Sequence, residues 1–180
     1  MSEENKEPWL NYLALTTVIL AVCATLSTFK GGSFSTRSVL SQTQAANQWA
    51  YYQAKGIKSY LYEIQKEKLE LELEHQEADG LSSHVVESQK KTIATYADRI
   101  SKYNAEKAAI EKEAKRLEAI RDDAQKHAQV FGIAVIFLQI AILLSSVAAL
   151  MKKKLVWYLG VLMGMIGIIY FADGFLLFFI

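Results

Sequence analysis

The chain has 180 residues and a formal net charge of +1, with 52% hydrophobic and 22% charged residues. The near-neutral, mixed charge gives no indication of nucleic-acid binding, and the single cysteine, Cys23, excludes a disulfide within one chain. Most charged residues lie between Lys30 and Lys126, so the apolar residues are concentrated on either side of that segment.

Three segments are long and apolar enough to cross a lipid bilayer: residues 10–29, 130–150 and 155–180. A hydrocarbon core about 30 Å thick needs about 20 helical residues, and each segment meets that length. The N-terminal tail, residues 1–9, is acidic, whereas a cleaved signal peptide begins with basic residues. We therefore predict three transmembrane helices, the first of which is a retained anchor.

The segment from residue 30 to residue 129 is charged and is predicted to lie in water. Its strongest helix-breaking cluster, residues 79–83, is close to its midpoint, where Gly80 suits the end of one helix and Ser82 or Ser83 the start of the next. Each arm would be a helix of about 75 Å. The matched lengths predict an antiparallel coiled-coil hairpin, and the whole chain is predicted to be an all-α membrane protein.

The returning arm of this hairpin carries a heptad repeat. The first seam position comprises Val86, Ile93, Ile100, Lys107, Ala114 and Arg121, and the second comprises Gln89, Tyr96, Tyr103, Ile110, Leu117 and Ala124. A charged residue in a seam lowers stability unless it has a partner, and it often selects the register. Lys107 and Arg121 either have that role or extend past the seam into water.

The outgoing arm carries a weaker repeat. Its apolar positions are Ile57, Ile64, Leu71 and Ala78, its companion positions are Tyr60, Glu67 and Glu74, and a second apolar line comprises Leu61, Leu69 and Leu73. We expect both apolar lines to contribute to the seam. Pairing about the turn would place Trp49 near Glu113, and Tyr60 near Lys102 and Tyr103.

One segment of the outgoing arm is unusually rich in aromatic and amide side chains. It comprises Asn47, Gln48, Trp49, Tyr51, Tyr52, Gln53 and Lys55. Helical spacing places Trp49, Tyr52 and Gly56 on one face. The segment is either a packed patch between the arms or subunits, or a surface that recognises a ligand, and we take it as the candidate interaction patch.

The connection between the second and third spans, residues 151–154, is short and contains three lysines. Short basic loops stay in the cytoplasm, whereas loops longer than about 60 residues are nearly exempt from this rule. The N-terminus shares the side of this connection because two spans separate them. The hairpin is therefore predicted to be extracytoplasmic.

Asp173 is the acidic residue inside a predicted span. A charge in hydrocarbon is costly, so Asp173 is expected to face protein or water and to form an ion pair with Lys30, Lys126 or His127. A proton or ion pathway is the alternative. Its helix also carries Gly160, Gly164 and Gly167, whose spacing allows close helix packing, either with the second span or between subunits.

Three segments resemble the domain-of-unknown-function 4337 family of bacterial membrane proteins: ATLSTFKGG, NQWAYYQAKGIK and MKKKLVWYLG. The resemblance extends over essentially the whole chain. It implies a location in the bacterial inner membrane and the three-span layout. It implies no activity, and it identifies no catalytic or binding residue.

The sequence carries no recognised enzyme motif, and His75, His84 and His127 are too far apart to suggest a metal site. We expect no catalysis, cofactor or metal. The sequence favours a membrane-anchored scaffold, adaptor or tether that forms a homo-oligomer and presents the hairpin to a protein partner. The alternative is an oligomeric channel, but the polar residues of the first span, Asn11, Thr16, Thr17, Thr25 and Ser27, form no continuous stripe.

Overall fold

The protein is all-helical over the residues described by a computed structural model, 8–78 and 83–177. Helix α1 is Pro8–Ala78, α2 is Ser83–Met151 and α3 is Lys154–Leu176. Pro8 suits the first position of a helix because it lacks the N–H that would be unpaired there. Within these two ranges no strand occurs, which confirms the predicted fold class. The predicted turn around Gly80 lies outside the described residues.

Each of the three helices is long and apolar enough to cross a membrane. The spans predicted over residues 10–29 and 130–150 lie within α1 and α2, which also carry the two charged arms. Neither helix ends where the composition changes from apolar to charged. The chain is therefore a membrane protein with three transmembrane helices, and a helical hairpin separates the first two.

The chain divides into two compact units. The span unit comprises Met1–Leu40 and Ile120–Ile180, and the arm unit comprises Ser41–Ala119. The two units use different packing chemistry, so each is described separately.

The core of the span unit is centred on α2. Its fully buried apolar residues are Val130, Phe131, Ala134, Leu138, Ala141 and Ala148. Phe131 contacts the rings of Phe34, Phe171 and Phe175, with ring centroids 5.1 to 6.2 Å apart. Edge-to-face and offset pairs of this kind add to the stabilisation that burial alone provides.

Four glycines allow α3 to approach its neighbours closely. A Cβ atom added at Gly167 would lie 2.8 Å from Cγ of Leu138, and one at Gly164 would lie 2.8 Å from Cδ2 of Leu20. Gly174 has the same relation to the Phe131 ring, and Gly160 faces the carbonyl oxygen of Ala141. Gly160, Gly164 and Gly167 thus receive side chains of the same chain, and close packing replaces the hydrophobic driving force that is missing in lipid.

The connection between α2 and α3 is shorter than the predicted four residues. Only Lys152 and Lys153 lie between the helices, and Lys152 has a φ of 52°, in the left-handed region. The N–H of Lys153 donates to the carbonyl oxygen of Ala148 at 3.3 Å. Near this connection Trp157 Nε1 donates to Oγ1 of Thr16 at 3.3 Å, which joins α3 to α1.

The seam predicted on α2 is confirmed. All twelve of its positions, from Val86 to Ala124, are buried or half-buried, and most of the residues between them are exposed. The α2 helix therefore presents one heptad face along the whole arm.

The seam predicted on α1 is wrong. Ile57, Ile64, Leu71 and the companion residue Tyr60 are exposed, as is Leu61. Within the arm unit the buried and half-buried residues of regular 3-4 spacing are instead Ser41, Ala45, Gln48, Tyr52, Lys55, Ser59, Tyr62, Lys66, Leu69 and Leu73. Leu69 and Leu73 behave as predicted. The side chain of Ala78 lies outside the described residues.

The physical reason for this difference is the content of the α2 seam. Large polar side chains such as Tyr103 and Lys107 occupy α2 positions where an apolar seam would hold aliphatic residues. They require partners that leave space or form hydrogen bonds, because a buried polar group without a partner is costly. Gly56 and Ser59 on α1 meet that requirement, whereas Ile57 and Ile64 would not.

We expect Gly167→Ala to lower the stability of the protein in detergent by about 1–3 kcal/mol, the usual cost of overpacking. Its Cβ would lie 3.0 Å from the backbone nitrogen of Leu138, so a rotation of the Leu138 side chain cannot relieve the contact. Gly132→Ala is the matched control, because a Cβ there has no atom within 4 Å. Thermal unfolding followed by circular dichroism measures both. Equal stability of the two variants would contradict the packing described for α3.

Candidate functional site

The aromatic and amide patch predicted on α1 is divided between two sides of the helix. Gln48, Trp49, Tyr52 and Lys55 are half-buried, whereas Asn47, Tyr51 and Gln53 are exposed. The patch is therefore not one continuous surface.

Trp49 joins the two arms through a hydrogen bond. Its Nε1 donates to Oε1 of Glu118 on α2 at 2.8 Å, and its ring meets that of Tyr52 edge to face with centroids 5.5 Å apart. The predicted neighbour, Glu113, lies about one turn earlier on α2 and pairs with Arg116 of its own helix at 2.6 Å. The long indole reaches past the residue that a symmetric pairing would place opposite.

A tyrosine cluster also differs from its predicted composition. Tyr62, and not the exposed Tyr60, contacts Tyr103 and Tyr96, with ring centroids 5.9 and 5.3 Å apart. The shift of two residues follows from the changed seam on α1, in which Tyr62 faces α2.

Lys55, the charged residue of the patch, contacts an acidic side chain and two aromatic rings. Its Nζ lies 2.5 Å from Oε2 of Glu106 and about 5 Å from the ring centroids of Tyr51 and Tyr103. The hydrogen bond to Glu106 raises the pKa of Lys55 and lowers the pKa of Glu106. Coulombic attraction acts in the same direction, and partial burial opposes both shifts.

Two further polar contacts extend this arrangement along the seam. Lys107 Nζ lies 5.0 Å from the ring centroid of Tyr52, beside the space that Gly56 leaves open. The Ser59 hydroxyl lies within hydrogen-bonding distance of two acceptors, Oδ1 of Asn104 at 3.3 Å and Oε1 of Glu63 on its own helix at 3.1 Å. These contacts give Lys107 an aromatic partner in the seam. They also fix the register of the two arms, because a slip of one residue would separate every pair.

Sequence reasoning did not identify Ser59, Asn104 or Glu118 as part of this arrangement. The sequence does indicate the α1 face, through the 3-4 spacing of Tyr52, Lys55 and Ser59. A search restricted to apolar residues does not detect this spacing. A heptad search that admits polar residues would have found these α1 positions.

Asp173 is almost fully buried in the span unit. Nδ1 of His127 lies 2.8 Å from the carbonyl oxygen of the adjacent residue Gly174, and the His127 ring stacks on that of Phe34. Lys30 Nζ lies 5.9 Å from the ring centroid of Phe175. The structure thus brings Lys30 and His127 to residues beside Asp173, while Lys126 is exposed. The ion pair of Asp173 stays a prediction.

Hydroxyl groups within the spans are bonded to the backbone of their own helices. Thr16 and Thr17 donate to the carbonyl oxygen of Leu13 at 2.9 and 2.8 Å, and Ser145 donates to that of Ala141 at 2.9 Å. The same pattern holds for Thr25, Ser27, Thr28 and Ser146. Over residues 8–78 and 83–177 no three histidine, cysteine or acidic side chains form a group suited to a metal ion.

A family model described as a domain of unknown function (DUF4337) matches residues 9–177 of the chain. The match covers all three spans and both arms. A comparison with curated proteins gave no match, and a comparison with solved structures gave none.

The ion pair between Lys55 and Glu106 predicts a pH dependence. Because the pKa of Glu106 is lowered in the folded state, its contribution to stability is present above the ordinary pKa of glutamate. That contribution is lost as the pH falls through the lowered value. Because the pKa of Lys55 is raised, its contribution is present below the ordinary pKa of lysine and is lost at higher pH.

We therefore expect Glu106→Gln to be less stable than wild type at neutral pH and to lose less stability on acidification. Thermal unfolding in detergent over a series of acidic buffers measures this. Glu87→Gln, which removes an exposed carboxylate elsewhere on α2, is the control and should follow the wild-type curve. Parallel acid curves for Glu106→Gln and wild type would show that the pair contributes nothing.

Proposed function

Because the chain belongs to the domain-of-unknown-function 4337 family, which supplies no activity to carry over, we propose a function from the contacts of the molecule itself. We propose that the protein is a non-catalytic, membrane-anchored helical scaffold, adaptor or tether. In this proposal it associates with copies of itself and presents its hairpin to a protein partner.

The observation that carries this proposal is the polar register of the arm unit. Trp49, Lys55 and Lys107, side chains that commonly bind ligands, each contact the opposite arm. Residues 41–78 of α1 correspond to about 57 Å of helix. A helix pair held in one register over that length keeps its outward side chains at fixed positions. Such a surface suits the docking of other helices.

A channel is less well supported. The hydroxyl groups of the spans donate to carbonyl oxygens of their own helices, as Thr16 and Ser145 do. Hydroxyls held in this way stay close to their own helices, which is common in tightly packed spans and does not by itself form the polar lining of a channel. The side chains that meet between the helices of the span unit are mainly Leu20, Leu138, Phe131 and glycines, which pack closely.

We further propose that the membrane is the bacterial inner membrane, with the N-terminus and the α2–α3 connection in the cytoplasm. The supporting observation is that Lys152, Lys153 and Lys154 are all exposed at the short connection. Basic residues in a short loop are retained on the cytoplasmic side.

We expect a membrane-impermeant maleimide to label Ala105→Cys in intact cells but to label Lys153→Cys only after the membrane is opened. Both substitutions are made in a Cys23→Ser background, and both positions are exposed. The reversed labelling pattern would overturn the orientation. Labelling of both positions in intact cells would do the same.

We expect cross-linking in native membranes to join copies of this chain into species of at least twice its mass of 20.2 kDa. A second polypeptide should copurify with it. Mass photometry in several mild detergents measures the first, and mass spectrometry identifies the second. A single 20.2 kDa chain in every detergent, without cross-linked species or a copurifying protein, would refute the scaffold proposal.

A further inference from the structure

The face of α1 that points away from the seam is apolar. Five residues after the seam positions Tyr52, Ser59 and Lys66 lie Ile57, Ile64 and Leu71, which are 63%, 45% and 56% exposed. Leu61 lies beside them and is 54% exposed. We call Ile57, Leu61, Ile64 and Leu71 the outer stripe. In a two-stranded coiled coil this position faces water and is normally polar.

The other helix of the same hairpin has no such stripe. Five residues after its seam positions, α2 carries Lys91, Asp98, Ala105, Lys112 and Ala119, all of them exposed. These residues are charged or small, as expected of a face in contact with water. The outer stripe is therefore specific to α1, and its large aliphatic side chains require a separate explanation.

We propose that the outer stripe is the contact between two copies of this chain, whose α1 helices pack in parallel and in register. The seven-residue spacing of Ile57, Ile64 and Leu71 matches a partner helix with the same period, because knobs-into-holes packing needs equal repeats on both sides. A second copy supplies an identical repeat. The assignment rests on the proposed self-association and names the surface that mediates it.

Membrane anchoring fixes the relative direction of the two helices. The α1 helix, Pro8–Ala78, contains both the first span and the outer stripe. In copies inserted with the same orientation, each outgoing arm begins on the same side of the membrane, so α1 helices that pair side by side run in the same chain direction. In a twofold pair Ile57 then lies opposite Ile57 of the second copy, and Ile64 lies opposite Ile64.

Charges beside the outer stripe are complementary in that direction. One flank of Ile64 and Leu71 carries Glu67, and the other carries Lys68, which contacts Glu72 of its own helix at 3.7 Å. In a parallel pair each flank faces the opposite flank of the partner helix, so the acidic side meets the basic side. An antiparallel pair would place the acidic flanks against each other, which costs stability.

Cysteine cross-linking in native membranes tests this proposal on the full chain. Ile57→Cys, Ile64→Cys and Leu71→Cys are made one at a time in a Cys23→Ser background. Ala105→Cys and Lys112→Cys, at exposed positions of the outer face of α2, are the matched controls. We expect disulfide-linked dimers from each of the three α1 variants and only background dimer from the two α2 variants.

A second variant tests the packing without a cross-link. We expect Ile64→Glu to lose the oligomer seen for wild type by mass photometry while it keeps its helical circular dichroism. The reason is that two carboxylates would meet at the centre of the apolar contact. Ala105→Glu is the control and should retain the oligomer.

Four outcomes would overturn the proposal, and they separate it from the proposed function. A wild-type oligomer without α1 cross-links, or with equally strong α2 cross-links, would show that the outer stripe is not the contact but would be consistent with self-association. Dimers from Ile64→Cys alone, together with mixed dimers between Ile57→Cys and Leu71→Cys, would show antiparallel pairing. Cross-links to a different protein would show that that protein, and not a second copy of the chain, contacts the outer stripe. A monomeric wild type would refute self-association as well as the outer stripe.

Discussion

The contact of Lys55 with Glu106 and the rings of Tyr51 and Tyr103 determines which face of α1 meets α2. Once this charge lies in the seam, helical spacing places Ser59 and Tyr62 there and turns Ile57 and Ile64 outward. The hairpin thus uses polar complementarity where a coiled coil usually uses aliphatic packing. Polar groups in a seam contribute little net stability, but they discriminate strongly between registers.

The span unit meets a different constraint with different residues. Lipid provides no hydrophobic force to hold helices together, so α3 is joined to α1 and α2 by close contact at glycines. Leu20, Leu138 and Phe131 each fill the space that one of these glycines leaves. The GxxxG-like face is therefore occupied within the chain, and the proposed association between copies uses another surface. The outer stripe of α1 offers one.

The sequence predicted the features that depend on composition and strong periodicity. The three spans, the helical class and the α2 seam from Val86 to Ala124 follow from long apolar runs and a regular heptad repeat. The α1 seam could not be predicted in this way, because the apolar residues of α1 form the more regular pattern although they do not face α2. Apolar periodicity identifies a face that is suited to burial, but it does not identify the partner. That choice depended on Tyr103, Glu106 and Lys107 of α2, which need space or polar partners such as Lys55 opposite them.

The candidate patch shows the same limit at the level of single residues. Its composition indicated that Trp49 and Tyr52 belong together, and the two rings do meet. The identity of the Trp49 acceptor, Glu118, depends on the reach of an indole across the seam, which residue spacing alone does not give.

The connection of Lys152 and Lys153 bears on how the protein is made. Two residues are too few for α2 and α3 to separate in the bilayer, so we expect these spans to enter it as a single helical pair during biosynthesis. Their mutual docking is then set by chain connectivity and not by a search through lipid. The α1 helix is synthesised earlier, so we expect it to pack against the α2–α3 pair after that pair has formed.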